Sequence, residues 1–483
     1  MKMKRLIPLL IALSAGFSVS AYAEDFYRGG DITELSYIES LGGKYCDADG
    51  NNRDALDILA ENGMNMARIR LTNNPGKGRG DGIYYLPEGF QDETDCLALA
   101  KRAKEHNMKI QFTFNYSDYW SNGSRQIIPD DWVKQIEKET GYNVKDADFL
   151  NKMTTEERAE IIDCLENIVY EYTLDIMKKL NAQGTLPEYV SLGNEIRGGL
   201  LFPFANTYKA NMNRDRFELV FGDDKSDKDI ICPEDWDSLA RFINAGYKAV
   251  KEVSPESRII IHLDDGSKVS SFTWYLDKLD AAGAKYDVIG ASYYPAWSGN
   301  TIDTCVDFCN EITKQYDKDI MIMETGFNWN ETIKDGSAGQ LVDIEAYKEI
   351  FPPTQEGHYG YMKALFEGLR SVEGDRCLGA LYWDPLMIHV EDENGNNLSG
   401  WAYREEDDGV EKCIVENTTL FDFDGKAIKS LEAYRDDMEE NTVTVIEPQY
   451  DGNGRLTNVE TEKTDIRNAL EGYIWDGQMI DRK

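Results

Sequence analysis

The sequence predicts an α/β fold, a (β/α)8 TIM barrel with loop insertions on its catalytic face. Three observations carry this expectation: short apolar runs alternate with longer amphipathic segments, the runs number eight, and each ends in a polar residue. Short buried strands that each feed a helix make a parallel sheet covered by helices. Eight such units favour a closed barrel over an open doubly wound sheet. No glycine-rich phosphate loop follows the first run, which weakens the dinucleotide-binding alternative.

In chain order the runs are FYRGGD (26–31), NMARIRL (65–71), KIQFTFNY (109–116), PEYVSLGNE (187–195), RIIIHLDDG (258–266), YDVIGASYYP (286–295), DIMIMETG (319–326) and CLGALYWDP (377–385). Between them, segments such as Asp92–His106 and Asp235–Val253 repeat apolar residues at three and four, the helical spacing. The helix before the third run reads as longer than its crossover needs. Residues 136–155 and 205–233 are polar, charge-rich insertions after the third and fourth strands, on the mouth side of the barrel. Residues 1–23 read as a secretory signal: Lys2, Lys4 and Arg5, then the apolar Leu6–Phe17, then Ala21-Tyr22-Ala23. The expected division is a signal peptide at 1–23, a catalytic domain at 24–435 and an acidic, turn-rich extension of no assigned role at 436–483.

No apolar run approaches the ~18 residues of a membrane span, so the expectation is an exported, soluble protein, extracellular or periplasmic, and a monomer. The formal charge is −36, and loss of the three basic leader residues takes it to −39. Such a charge repels nucleic acid and anionic membranes and favours a neutral polymer over an acidic one. The eight cysteines show no metal-ligand spacing, and pairing among them is open in an oxidising compartment. Cys305 and Cys309, four apart, fit one helix face.

The runs end in Asp31, Arg70, Asn115, Glu195, His262 with Asp264, Tyr294, Glu324, and Trp383 with Asp384. A single carboxylate after a strand is ordinarily a helix cap or a loop ion pair. Eight polar ends opening on one barrel face describe a shared pocket instead. Glu195 ends the fourth run and Glu324 the seventh, nearly opposite across the mouth. Paired carboxyls suit glycosidic cleavage, with Glu195 protonating the leaving oxygen and Glu324 attacking the anomeric carbon, a retaining reaction at a separation of about 5–5.5 Å. Arg70 and Tyr294 are expected to hold Glu324, and Asn194 to donate to the sugar 2-hydroxyl. Tyr116, Tyr119, Trp120, Phe202, Tyr293, Trp297, Trp383 and Trp401 surround the rim. A third to a half of such aromatics belong to a core, and Trp120 and Trp297 are the expected sugar platforms.

These residues resemble glycoside hydrolase family 53, the arabinogalactan endo-β-1,4-galactanases of clan A. The matching pieces are RGGD (28–31), RIRL (68–71), ALAKRAKEHNMKI (98–110), NYSDYW (115–120), SLGNEIRGGLLFP (191–203), IIIHLDDG (259–266), YDVIGASYYPAW (286–297), METGF (323–327), YWDP (382–385), and GWAYREE followed by LFDFDGKAIKSL within 400–431. The resemblance runs from about Tyr27 to Tyr434. It implies secreted, endo-acting, retaining hydrolysis of β-1,4-galactosidic linkages in pectic galactan or type I arabinogalactan, with galacto-oligosaccharides as products. It supports Glu195 as acid/base and Glu324 as nucleophile. It makes Arg70, Asn115, Asp118, Trp120, Asn194, His262, Asp264, Tyr294, Trp297 and Trp383 substrate-binding candidates. No cofactor is implied beyond a structural calcium near the late βα loops, for which the acidic loop 391–397 supplies oxygen ligands.

The chain departs from the family at Thr113 and Asn115, where an acid and a histidine are usual, and at Phe202, where tryptophan is usual. The alternatives are another clan A endo-glycanase, a mannanase or β-glucanase, and a glycan-binding protein with impaired catalysis, for which Asn115 and Phe202 are the only support.

Overall fold

The computed structural model describes residues 26–77, 85–208, 233–341, 347, 350–400 and 413–435 in full. Of the strands at 210–212, 230–232, 442–450, 456–465, 473–475 and 480–482 it describes the backbone. Eight parallel strands close into a barrel: β1 (Tyr27–Asp31), β2 (Met66–Leu71), β3 (Lys109–Phe114), β4 (Tyr189–Leu192), β5 (Arg258–Leu263), β6 (Val288–Ser292), β7 (Asp319–Thr325) and β8 (Cys377–Tyr382). Each hydrogen-bonds the next in sequence, and β8 returns to β1 with Tyr27 opposite Gly379. Every strand falls inside one of the eight apolar runs.

The strands read as continuous apolar stretches because both faces are buried. Outward residues such as Ala67, Ile69, Ile110, Phe112, Ile259, Ile261, Ile320 and Ile322 pack under the helices in the main core. Inward residues Tyr27, Met66, Tyr189, Ile260, Val288, Met321, Met323, Leu378 and Leu381 form a second cluster inside the barrel. The first strand needs its glycines. A Cβ on Gly29 would lie 2.4 Å from Leu381 Cδ2 and 2.6 Å from the Met66 carbonyl oxygen, too close for any other residue.

Among the described residues, one main helix crosses between each pair of successive strands: α1 (Ala55–Glu61), α2 (Glu93–Glu105), α3 (Thr155–Ala182), α4 (Trp236–Val253), α5 (Val269–Ala281), α6 (Ile302–Tyr316) and α7 (Gln355–Arg370). Their starts follow the capping residues in the sequence: Asp92 accepts from Asp95 N, Asp235 from Ser238 N, and Thr354 from Gly357 N. Thr154 and Glu157 form a reciprocal capping box at α3. The over-long helix is α3, 28 residues before the fourth strand; α2, before the third, has 13. The extra length of α3 follows the first insertion, which folds as two short helices, Asp130–Thr140 and Ala147–Lys152. In the second insertion, Ala210–Met212 pairs antiparallel with Ile230–Cys232.

After β8, a 3₁₀ turn at Lys429–Tyr434 packs on the barrel, with Tyr434 fully buried and edge-on to Phe366. Beyond it, Thr442–Tyr450 pairs with Leu456–Asp465, and Tyr473–Trp475 with Ile480–Arg482. Residues 1–23, read from the sequence as a leader, and Trp401 lie outside the described residues. Seven cysteines, all but Cys232, are described and each is a free thiol; Cys305 and Cys309 lie one turn apart on α6. Among the described residues no helix is long and apolar enough to cross a membrane.

Candidate active site

The C-terminal ends of the strands surround a cleft of about 640 Å³. Glu195 and Glu324 lie on it together with Arg70, Trp120, Asn194, Asp264, Tyr294, Trp297 and Trp383. One carboxylate oxygen of Glu195, one of Glu324 and a ring nitrogen of His262 all lie within 4.8 Å of one another.

Two backbone irregularities aim the carboxylates. Glu195 follows β4 with φ 50° and ψ 54°, left-handed values uncommon outside glycine, and the chain turns at once into a 3₁₀ turn at Ile196–Gly198. On β7, Ile320 and Ile322 face outward and Met321 and Met323 inward, so simple alternation would send Glu324 outward. The register against β6 shifts there: Ala291 pairs with Ile322, but Ser292 pairs with Glu324. That extra residue re-aims Glu324 into the cleft.

Glu324 accepts from Arg68 Nη1 at 2.7 Å and from the Tyr294 hydroxyl at 3.1 Å. The arginine on this carboxylate is therefore Arg68. Arg70, one inward position nearer the mouth, donates from Nε to Asp31 and from Nη2 to Glu34, each at 2.6 Å. Arg68 also donates from Nη2 to Asn194 Oδ1 at 2.6 Å, while Asn194 Nδ2 donates to the Ser121 carbonyl at 2.8 Å.

Glu195 accepts at Oε1 from the Ser292 hydroxyl at 2.6 Å. Enclosure by the protein, then the charges of Glu324 and Asp264, push its carboxyl well above the ordinary glutamate range. A carboxyl whose pKa is raised holds its proton more readily, which suits a general acid. Asp264 stands beside it, both oxygens held by Arg197 through Nε at 2.7 Å and Nη2 at 2.8 Å.

Trp120, Trp297 and Trp383 line the cleft. Trp297 is 54% exposed and leans on Tyr294 with ring centroids 4.3 Å apart. One face of Trp120 carries the Arg125 guanidinium, 4.1 Å from the ring centre. Tyr116, Tyr119, Phe202 and Tyr293 are buried in the core instead.

Three of the substrate-binding candidates lie behind the wall. Asn115 is buried and donates to Thr72 Oγ1 at 2.9 Å. Asp118 accepts from the backbone N–H of Asp130, at the start of the first insertion helix, and from Asn73 Nδ2. His262 is fully buried with Nε2 2.9 Å from Ser292 Oγ, so it meets Glu195 only through that serine. Burial, with Arg68 and Arg70 nearby, holds its imidazole well below the usual histidine range and neutral.

Arg68, Ser292 and Arg197 were not singled out by sequence reasoning. Arg68 shares an inward parity with Arg70 in RIRL, and that alternation is the one signal that points to it. Around the loop 391–397, Asp392 accepts from Asn394 N, Asn396 N and Asn396 Nδ2, and Glu391 and Glu416 face His389. These carboxylates are each turned to N–H donors of the loop or of His389.

The glycosyl hydrolase family 53 model matches residues 27–161 and 157–434. An arabinogalactan endo-β-1,4-galactanase of Thermothelomyces thermophilus is 28% identical over 416 residues, spanning 85% of this chain and 98% of that protein. An endo-β-1,4-galactanase of Bacillus subtilis is 24% identical over 434 residues, 86% of this chain and 87% of that protein. The solved family 53 catalytic domain of Ignisphaera aggregans superposes with a TM-score of 0.64 at 28% identity, covering 85% of this chain and 96% of that one. With the paired carboxylates at the mouth of an eight-stranded barrel, the chain belongs to glycosyl hydrolase family 53.

Proposed function

We propose that the protein is a secreted endo-β-1,4-galactanase that cleaves internal linkages of pectic galactan or type I arabinogalactan with retention, acting as a monomer. The observation that carries this is the close approach of Glu195 and Glu324, with carboxylate oxygens within 4.8 Å across a cleft walled by tryptophans. That spacing supports retention, being nearer the short separation of retaining enzymes than the wider gap in which an inverting pair holds its water. Glu324, steadied by Arg68 and Tyr294, attacks the anomeric carbon. Glu195 gives its proton to the departing glycosidic oxygen, and the first product leaves. Glu195, now ionised, takes a proton from water, and the hydroxide oxygen displaces Glu324 from the sugar.

The galactan preference follows the activity named for the similar proteins. Export follows the leader-like residues 1–23. The substitutions that favoured an impaired glycan-binding protein, Asn115 and Phe202, are both buried away from the cleft, which lowers the weight of that alternative.

The test is a substrate panel. The purified full chain is incubated with lupin or potato galactan, β-mannan and β-glucan, and the released oligosaccharides are followed. Galacto-oligosaccharides from galactan, with viscosity falling ahead of reducing ends, are expected. Oligomers from mannan or glucan alone, or binding without cleavage, would end this reading.

A further inference from the structure

Ser292 and His262 form a short polar line running from the acid/base carboxyl into the barrel. The serine oxygen lies 2.6 Å from Glu195 Oε1 and 2.9 Å from His262 Nε2. His262 is fully buried, and its other ring nitrogen, Nδ1, has no partner among the described residues. A hydroxyl has one proton, so the line has a direction. A buried N–H without an acceptor costs more than a buried lone pair without a donor, which favours the tautomer with its proton on Nε2. The imidazole then donates to Ser292 Oγ, and the hydroxyl proton points at Glu195 Oε1.

We propose that His262 and Ser292 are positioning residues for Glu195: they occupy Oε1 as a permanent acceptor, so the catalytic proton resides on Oε2, facing the glycosidic oxygen. No proton travels along the line. The proton on Oε2 goes to the leaving oxygen in the first step, and Oε2 recovers one from water in the second, while Oε1 keeps its serine hydrogen bond throughout. The other charged or titratable groups about Glu195 are Glu324 from β7, Arg68 from β2, Tyr294 after β6, and Asp264 after β5 with Arg197 on it. None of them donates to Glu195 Oε1, so the serine is the group whose loss is expected to change its ionisation most directly.

The inference rests on Glu195 being the acid/base, and the experiment separates the two claims. The full chain and the variants Glu195→Gln, Ser292→Ala, His262→Met and His262→Gln are compared on galactan across pH, and on a dinitrophenyl β-galactobioside, whose leaving group needs no acid. If Glu195 is the acid, Glu195→Gln loses activity on galactan and retains formation of the glycosyl-enzyme from the activated substrate. Loss of both equally would overturn that assignment and the positioning role with it. Given that result, Ser292→Ala is expected to move the basic limb of kcat/KM upward by about one pH unit, because a hydrogen bond to the ionised form has been removed. His262→Met should move it the same way by less, and His262→Gln, which restores an N–H near Nε2, should bring it back toward the parent. A downward shift would mean that the serine accepts from Glu195, and unmoved limbs in Ser292→Ala and His262→Met would mean that the line is structural only. Either result overturns the proposal.

Discussion

Arg68 donates from Nη1 to Glu324 Oε1 at 2.7 Å from a fully buried position inside the barrel. The same guanidinium lies 3.2 Å from Asp31 and bonds Asn194, so one planar cation orients a nucleophile candidate and the amide beside Glu195 together. Only a fork with several fixed donors can do this.

Replacing Arg68 is therefore expected to damage both catalysis and stability. Arg68→Lys keeps a charge but loses the fork, and a displacement of Glu324 on the order of 1 Å should lower kcat about 10²-fold. Arg68→Met leaves Glu324 buried without its cation, while Asp31 keeps Arg70, and this should cost roughly 3–5 kcal/mol in chemical denaturation. Turnover within threefold of the parent in Arg68→Lys would show that Tyr294 alone suffices to hold Glu324.

The raised pKa of Glu195 has opposite consequences for activity and stability. The acid must be protonated to assist leaving-group departure, so kcat/KM on galactan should fall as pH rises through its folded-state pKa. For stability, the folded state binds this proton more tightly than the unfolded chain. The contribution is present below the ordinary glutamate value and is lost as pH rises from there to the raised value. Glu195→Gln removes the cost of ionising that site. It should lose several orders of magnitude in galactan turnover and yet melt at a higher temperature than the parent at neutral pH. The gain should shrink below about pH 4, where the parent carboxyl is protonated in both states. An equal or lower Tm at pH 7, with the gain absent across the range, would refute the stability half of this prediction.

Much of this architecture is legible in the residues. Parallel strands buried on both faces leave continuous apolar runs, and their polar ends place the mouth of the barrel at Glu195, Glu324, Tyr294 and Trp383. What escapes is depth and parity. RIRL contains two inward arginines, and only strand tilt and stagger decide that Arg68 reaches Glu324 while Arg70 meets Asp31 and Glu34. The register shift that turns Glu324 inward leaves no mark in IMIMETG. His262 and Asn115 end their runs like their neighbours, yet both stay below the cleft surface, because strands end at different heights.

Trp120 and Trp297 should contribute binding more than chemistry. Trp297 is 54% exposed and supports little of the core, so Trp297→Ala should leave Tm unchanged and raise KM on galactan about 5–30-fold, equivalent to roughly 1–2 kcal/mol. Trp120→Ala also removes the ring on which the Arg125 guanidinium lies, so a similar rise in KM should come with a small loss of stability. If either change lowers kcat tenfold with KM unmoved, the ring acts on the reacting sugar and is no remote platform.

The turn at Lys429–Tyr434 seals onto the barrel through its last residue. Leu431, Ala433 and Tyr434 are all buried, and Tyr434 meets Phe366 of α7 at 5.1 Å between ring centroids. The family match ends at this residue too. A chain stopped after Arg435 should therefore fold, melt within a few degrees of the full chain and hydrolyse galactan at a similar rate. A chain stopped before Leu431 exposes the surface those side chains cover, at about 1.5–3 kcal/mol for each large residue, and should be much less stable. Thermal melts and galactan assays on the two truncations decide the matter. A tenfold loss of activity in the longer one would mean that the residues after 435 belong to the working enzyme.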